Sequence, residues 1–478
     1  MRWAGIDLGT THLKAVLYDD RARRIVSSAT APTPMRTADS LSAHDAEEVT
    51  RIALDLLGTA LDGAAEPASL GGIAVASVAE EIVVVDAKDN PTGETLAWYD
   101  PRGRDEAEAF HGESRTGLHE RFRPDPWFSL FKLLWLRAHR PAELERCVRV
   151  LDLSAFMLVR LGAAAVMDWS HASRTGVFDP ESASWDAQTI AAAGLPAAWF
   201  PPLVPSGTIA GQVSNATAAR LRIGRGTPLV TGGHDHFCGA FASGVRAAGE
   251  MHLSAGTSEA QLVITDGPAD GVAGGYAFDQ GRFVDGHHWY VHIGIPTGHA
   301  YRQWTGLLFG AEDEAVIDAE VAHASAAEIG VMFDPGMSGG SEMLAGLTPS
   351  ADRATILRAV VEGSAVASSR VTRVLEATAR AHGERIVVAG HAGRNPLWRE
   401  LRSGLTGRSL ELVDEPETAA LGAALMAQRA VTGAADVDAV TRTIWRPTPA
   451  IRARGVALLE RYDRCTWGAA TARVGERG

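Results

Sequence analysis

The chain opens with two apolar runs, Trp3 to Leu8 and Leu13 to Tyr18, separated by the polar tip Gly9-Thr10-Thr11-His12. That pattern predicts a strand, a glycine turn and a second strand. Further on, "DAEEVTRIALDLLGTALDGA" places Val49, Ile52, Leu56 and Ala60 on one face at helical spacing. "GGIAVASV" and "EIVVVDAKDN" predict strands, the second ended by an Asp-Asn-Pro turn. Towards the other end, "RIVVAG" reads as a buried strand and "TAALGAALMAQRAV" as a small-residue helix packed closely on a neighbour. The tail "TIWRPTPAIRARGVALLERYDRCTWGAA" reads as a helix lying on the second half. Strand-like and helix-like segments alternate throughout, which argues for an α/β architecture.

The pattern also repeats. "IDLGTTHLKAVLYD" has a weak counterpart in "MHLSAGTSEAQLVITD", with Gly9 and Gly256, like Asp19 and Asp266, 247 positions apart. Each copy is an apolar strand, a Gly-Thr-Thr/Ser tip and an apolar strand. Two similar domains, each offering a hairpin tip to a cleft between them, explain the echo; two unrelated hairpins are the plainer alternative. The expected division is 1–244 and 245–478.

A chain of 478 residues suits two domains. With 45 basic and 58 acidic residues its net charge is −13. That disfavours nucleic acid or an anionic membrane as partner, but one local cluster of donors still suffices for a small anion. Cys147, Cys238 and Cys465 stand far apart without a CxxC pair, which fits a reducing compartment and no structural zinc site. No apolar stretch approaches ~20 residues and no signal-peptide pattern opens the chain, so the expected location is the cytoplasm.

Chemistry gathers at two places. In a Gly-Thr-Thr tip, successive N–H groups and hydroxyls make an anion-binding concavity. Asp7 at the strand end could hold Mg²⁺ through water, and Lys14 could neutralise phosphate charge. In "VTGGHDHFCGAFASG", Asp235 falls where an apolar strand gives way to a Gly/Ala-rich helix. On the residues alone Asp235 is a helix cap or an ionised base for a hydroxyl attacking phosphorus. His234 and His236 flank it without an evident third metal ligand.

Six segments together, in order, are similar to those of the FGGY carbohydrate kinase family. They are "GIDLGTTHLKAVLYD", "LAWYDPR", "PDPWFSLFKLLWL", "GGHDHFCGAFASG", "SAGTSEA" and, on the nucleoside side, "GHAYRQW" with "AGHAGRNPLWRELRSGLTG…ETAALGAALMA". The resemblance implies a two-domain actin/hexokinase-like (ribonuclease H-like) α/β fold with its active site in the interdomain cleft. It implies an enzyme using ATP and Mg²⁺ to phosphorylate a small sugar or polyol. Asp235 would be the catalytic base, with Asp7 and Asp235 near the metal. Thr10, Thr11, Lys14, Gly256 and Thr257 would hold the ATP phosphates, and Gly298, Gln303, Gly390, Ala392 and Asn395 the adenosine. Trp98, Trp127 and one of Glu80 and Glu81 would meet the acceptor beside Asp235 and His236. Indole faces suit the C–H side of a polyol and carboxylates its hydroxyls, although plain core aromatics remain the alternative for both tryptophans. Glu80 and Glu81 are expected on a strand, pointing to opposite faces. The favoured acceptor is a ketose such as a pentulose, the alternative glycerol or another polyol. An ATPase switch and a non-catalytic sugar sensor are the rivals of a different class, and a homodimer is an assembly open to such a chain.

Overall fold

The computed structural model describes residues 1–464 apart from 40, 65–69, 114–115, 123, 257–258, 270–277, 296, 326–329, 337–341 and 437–439. The two opening apolar runs form β1 (Arg2–Leu8) and β2 (His12–Asp19), an antiparallel hairpin continued by β3 (Arg24–Pro32). The helix α1 (Ala46–Asp62), capped by the Asp45 carboxylate, leads to β4 (Leu70–Ser77). Its wholly buried positions are Val49, Ala53, Leu57 and Ala60, while Ile52 and Leu56 are only half-buried. The face is therefore turned slightly from the one the spacing predicts. After α2 (Ser129–His139) come β5 (Ile209–Gln212) and β6 (Pro228–His234), and α3 (Asp235–Ala242) starts directly on the last residue of β6. The sheet order is β5-β6-β4-β1-β2-β3, with β4 and β6 parallel to β1.

The second half repeats this wiring. β7 (Met251–Ala255), β8 (Glu259–Thr265) and β10 (Trp289–Ile295) form an antiparallel meander, with β9 (Asp279–Arg282) added at its edge. After α4 (Thr297–Phe309) and α5 (Arg353–Ala379), β11 (Arg385–Ala389) runs parallel to β7. Then α6 (Pro396–Thr406) leads to β12 (Ser409–Val413), parallel to β11. The order β9-β10-β8-β7-β11-β12-β13 is completed by β13 (Arg442–Trp445). β1, β2 and β4 thus correspond to β7, β8 and β11, so the repeat read in the sequence is a repeat of topology. The tail differs in part from expectation: it begins as strand β13 before the helix α8 (Pro449–Asp463), which packs on α6 where Gly455 meets Gly404.

One helix joins the halves. α7 (Thr418–Thr432), the predicted small-residue helix, lies on the first half's sheet, and its core cluster takes residues from both halves, from Trp3 and Ala74 to Ile264 and Tyr290. Gly5 in β1 is required here, because a Cβ would strike the backbone of Ala420. With α1 on one face and α7 on the other, β1 is buried from Trp3 to Leu8, which is why the run is continuously apolar rather than alternating.

Candidate active site

The β1–β2 register places Asp7 directly opposite Lys14, so both side chains share one face of the sheet. Lys14 Nζ meets Glu417 at the start of α7 at 2.6 Å, so the first half's lysine pairs with the second half's glutamate. Burial works against the Lys14 charge, but Glu417 and Asp7 hold its pKa above the ordinary value. Asp7 is 6 % exposed, and its Oδ1 has no hydrogen-bond partner. Burial first, then the nearby Asp235, raises its pKa well above the usual carboxylate range, against the pull of Lys14. An orphaned, desolvated carboxylate beside a second one suits a divalent cation. Among the described residues no three acidic, His or Cys side chains form a closed metal cage. Mg²⁺ needs none, because it takes one or two carboxylates and fills its shell with water and phosphate.

Asp235 has the opposite environment. Burial would raise its pKa, yet His236 and the hydrogen bond to His234 Nδ1, at 2.8 Å, bring it below the ordinary value. The His236 backbone N–H donates to the same Oδ1 at 2.6 Å, as the first residues of a helix can. The site is braced from behind. Ser170 Oγ accepts from the His234 N–H at 2.9 Å and donates to Asp168 at 2.5 Å. Asp168 also pairs with the buried His171, whose ring stacks near His234. Burial opposes the His171 charge, but Asp152 and Asp168 raise its pKa to about 10.

Trp98 and Trp127, the candidates for the acceptor wall, stand edge to face with ring centroids 6.4 Å apart. Trp98 Nε1 donates to Thr10 Oγ1 at 3.0 Å, tying this wall to the first hairpin tip, where Thr10 is half-buried and Thr11 exposed. Sequence reasoning assigned no role to Lys132, wholly buried in α2. Its Nζ donates to the carbonyls of Trp98 and Trp127, at 2.9 and 2.7 Å, and so fixes both backbones. Burial lowers its pKa to about 8 despite Glu80 and Glu81 nearby. A lone lysine inside "SLFKLLWL" was the available signal, since lysine enters a core only when paired.

Glu80 and Glu81 are not on a strand. They occupy the bend after β4, where Glu80 takes a left-handed φ of 65°. Such a backbone is uncommon outside glycine and clusters at functional sites. Glu81 spends Oε1 on the Trp98 N–H at 3.1 Å and Oε2 on His44 at 2.6 Å, so it positions the tryptophan. Glu80 turns to Arg174. Arg174 in turn reaches Asp279 of β9, in the second half, at 2.7 Å. His292 of β10 stands 3.7 Å from Asp279, and its ring lies 6.3 Å from that of His236. Neither Arg174 nor Asp279 was legible as a site residue, because the partners are distant in sequence and in different halves.

The nucleoside candidates form a second group. Gly390 has φ 107°, and a Cβ there would collide with the backbone of Ala255, immediately before Gly256, so it sits against the second tip. Thr257 lies outside the described residues. A cavity of about 430 Å³ opens at the ends of β11 and β12, lined by Gly390, His391, Gly393, Arg394 and Glu415 among others. Ala392 leans on the core cluster of β11 and β12 instead. Asn395 caps α6 by accepting from the Trp398 N–H at 3.1 Å. Gly298 and the exposed Gln303 are on α4, whose Tyr301 donates to Asp318 at 3.2 Å.

These two sheets, their duplicated hairpins and the cleft chemistry define a two-domain α/β phosphotransferase scaffold. The chain belongs to the FGGY family of carbohydrate kinases: the family's N-terminal domain matches residues 2–242 and its C-terminal domain residues 251–431. It is 26 % identical to the apulose kinase of Pectobacterium atrosepticum, covering 98 % of this chain and 97 % of that one. It is 24 % identical to the gluconokinase of Bacillus subtilis, over 93 % and 91 %. The fold superposes on ligand-bound xylulose kinase from Lactobacillus acidophilus with a TM-score of 0.89 at 17 % identity, covering all of both chains. Among the described residues no helix is long and apolar enough to cross a membrane.

Proposed function

We propose that this carbohydrate kinase phosphorylates a hydroxyl of a small ketose such as a pentulose, using ATP and Mg²⁺. The observation that carries the reading is the pair of carboxylates with opposed environments: Asp235 held ionised at a helix start, Asp7 desolvated with one oxygen unsatisfied. Asp235 is the base. Both of its hydrogen bonds fall on Oδ1, so Oδ2 is the oxygen free to take the acceptor's proton. As the proton leaves, the acceptor oxygen bonds to the γ-phosphorus, the bond to the bridging oxygen breaks, and ADP departs with that oxygen. Thr10, Thr11 and Lys14 of the first half and Gly256 and Thr257 of the second grip the phosphates. Mg²⁺, held at Asp7 and Asp235, would supply charge neutralisation on the phosphates. Gly298, Gln303, Gly390 and Asn395 surround the adenosine, with Ala392 supporting that wall from the core of β11 and β12. Trp98, Trp127, Glu80, Glu81 and His236 form or position the acceptor wall, and residues 1–244 and 245–478 act as the two closing domains.

Coupled ADP release across pentuloses, hexuloses, polyols and aldoses tests this. One ketose should stand out with saturable kinetics and one phosphate transferred per ADP. ATP hydrolysis indifferent to every sugar would refute it.

A further inference from the structure

We propose that Asp279, reaching from the second half, completes with Arg174 and Glu80 an ionic strip that makes the acceptor pocket select neutral polyhydroxyl sugars and reject sugar acids. The inference rests on the kinase reading above. The strip runs from the bend at Glu80 in the first half to β9 in the second. Ser129, at the start of α2, donates its Oγ to the Glu80 carbonyl at 3.1 Å, and the Arg174 guanidinium lies 4.5 Å over the Phe128 ring. At the other end Asp279 neighbours His292, which faces His236 beside Asp235.

Among the described residues the buried charges around this space are mostly negative, and the two buried cations, Arg174 and Lys132, are engaged. Arg174 hydrogen-bonds Glu80 through Nε, pairs with it again through Nη2, and faces Asp279 with Nη1 at 2.7 Å, an ion pair without a hydrogen bond. Lys132 is buried and bonded to two carbonyls. Asp125, which accepts from the Trp127 N–H, adds a further carboxyl whose pKa is raised by burial and then by Asp279. A carboxylate on the acceptor would be desolvated among these anions, with the buried guanidinium of Arg174 already engaged by two carboxylates. A hydroxyl has no such difficulty, because it donates to Glu80 or Asp279. Asp279 therefore both supplies a hydroxyl acceptor and keeps Arg174 unavailable to an acid. Because it arrives on β9, the strip is complete only when the two halves meet.

The test measures kcat/KM on the full chain for neutral sugars (xylulose, ribulose, xylitol) and for aldonates (xylonate, gluconate). The wild type should favour its best neutral sugar over either aldonate by about a hundredfold or more. Asp279→Asn should raise KM for the neutral sugar about tenfold and narrow the preference by at least about tenfold, by freeing one edge of Arg174. Glu80→Gln, at the opposite end, should move the ratio the same way and serves if the first variant does not fold. A purely structural role would lower both activities together and leave the ratio fixed, which would overturn the assignment. Wild-type transfer to aldonates as efficient as to neutral sugars would overturn it too. Loss of that acid activity in Arg104→Ala would place recognition at the exposed arginine over Trp127 instead. Transfer to neither class would sink the kinase reading and this inference with it.

Discussion

The two hairpins, β1–β2 and β7–β8, have the same wiring and opposite polar fates. In the first, Leu8 pairs with Leu13 and Asp7 with Lys14, leaving four residues at the tip. In the second, Ala255 pairs with Glu259, so the tip is one residue shorter. Gln261, the sequence counterpart of Lys14, therefore pairs with Leu253 rather than with Ser254, the counterpart of Asp7. A one-residue register change moves a side chain to the other face of its sheet. In the first hairpin the charged pair faces the interdomain space, with one oxygen of Asp7 unsatisfied. In the second, the polar residues turn inward and are satisfied. Glu259 receives Ser368 and Gln261 on one oxygen and Arg402 and Thr297 on the other, and Gln261 also receives Thr372. The two hairpins share their wiring; one carries a buried carboxylate with an unsatisfied oxygen, and in the other Glu259 is bonded on both of its oxygens.

That contrast is open to experiment. Glu259→Ala leaves Arg402 buried without its carboxylate, and we expect a loss of about 3–5 kcal/mol, read as a large fall in the thermal midpoint. A change within a degree would mean the second hairpin is not anchored as described. Asp235→Asn should lower turnover about a hundredfold while calorimetry finds nucleotide affinity little changed. Near-normal turnover would remove the base assignment. The His171 cluster behind Asp235 gives a pH signature. Its pKa is raised in the fold, so its contribution is full below about 6.5 and is lost as pH rises towards about 10. The midpoint should decline between pH 7 and 9, and this decline should flatten in His171→Gln. Asp7→Asn is the mildest test of stability and the most pointed. Because burial raises the Asp7 pKa, its charged form costs stability as pH rises past the ordinary carboxylate value. Replacing the carboxyl by a neutral amide should raise the metal-free midpoint at neutral pH by about 2 °C, while Mg²⁺-dependent activity falls.

Much of this was legible in the sequence, for identifiable reasons. The echo, the strand-to-helix position of Asp235 and the small-residue helix α7 are local patterns, and local patterns survive folding. The register change was not legible, because Gly-Thr-Thr and Gly-Thr-Ser give no sign that one tip closes a residue earlier. The bend at Glu80 falls between the two strands the pattern predicts, and nothing in their apolar residues signals its left-handed backbone. Arg174 and Asp279 carry no local signature, because each is explained only by the other across the domain boundary. Lys132 was visible as an anomaly but not as the clasp between two tryptophan backbones.

The central claim is that the unsatisfied first tip and the anchored second tip hold one triphosphate between them, with Asp235 at its end. A crystal structure with a non-hydrolysable ATP analogue, Mg²⁺ and a ketose tests it most directly. We expect the terminal phosphate between Thr11 and Gly256, the metal beside Asp7, and a sugar hydroxyl on Asp235 Oδ2. A terminal phosphate bound away from both tips, with Asp7 and Asp235 facing neither metal nor sugar, would contradict it.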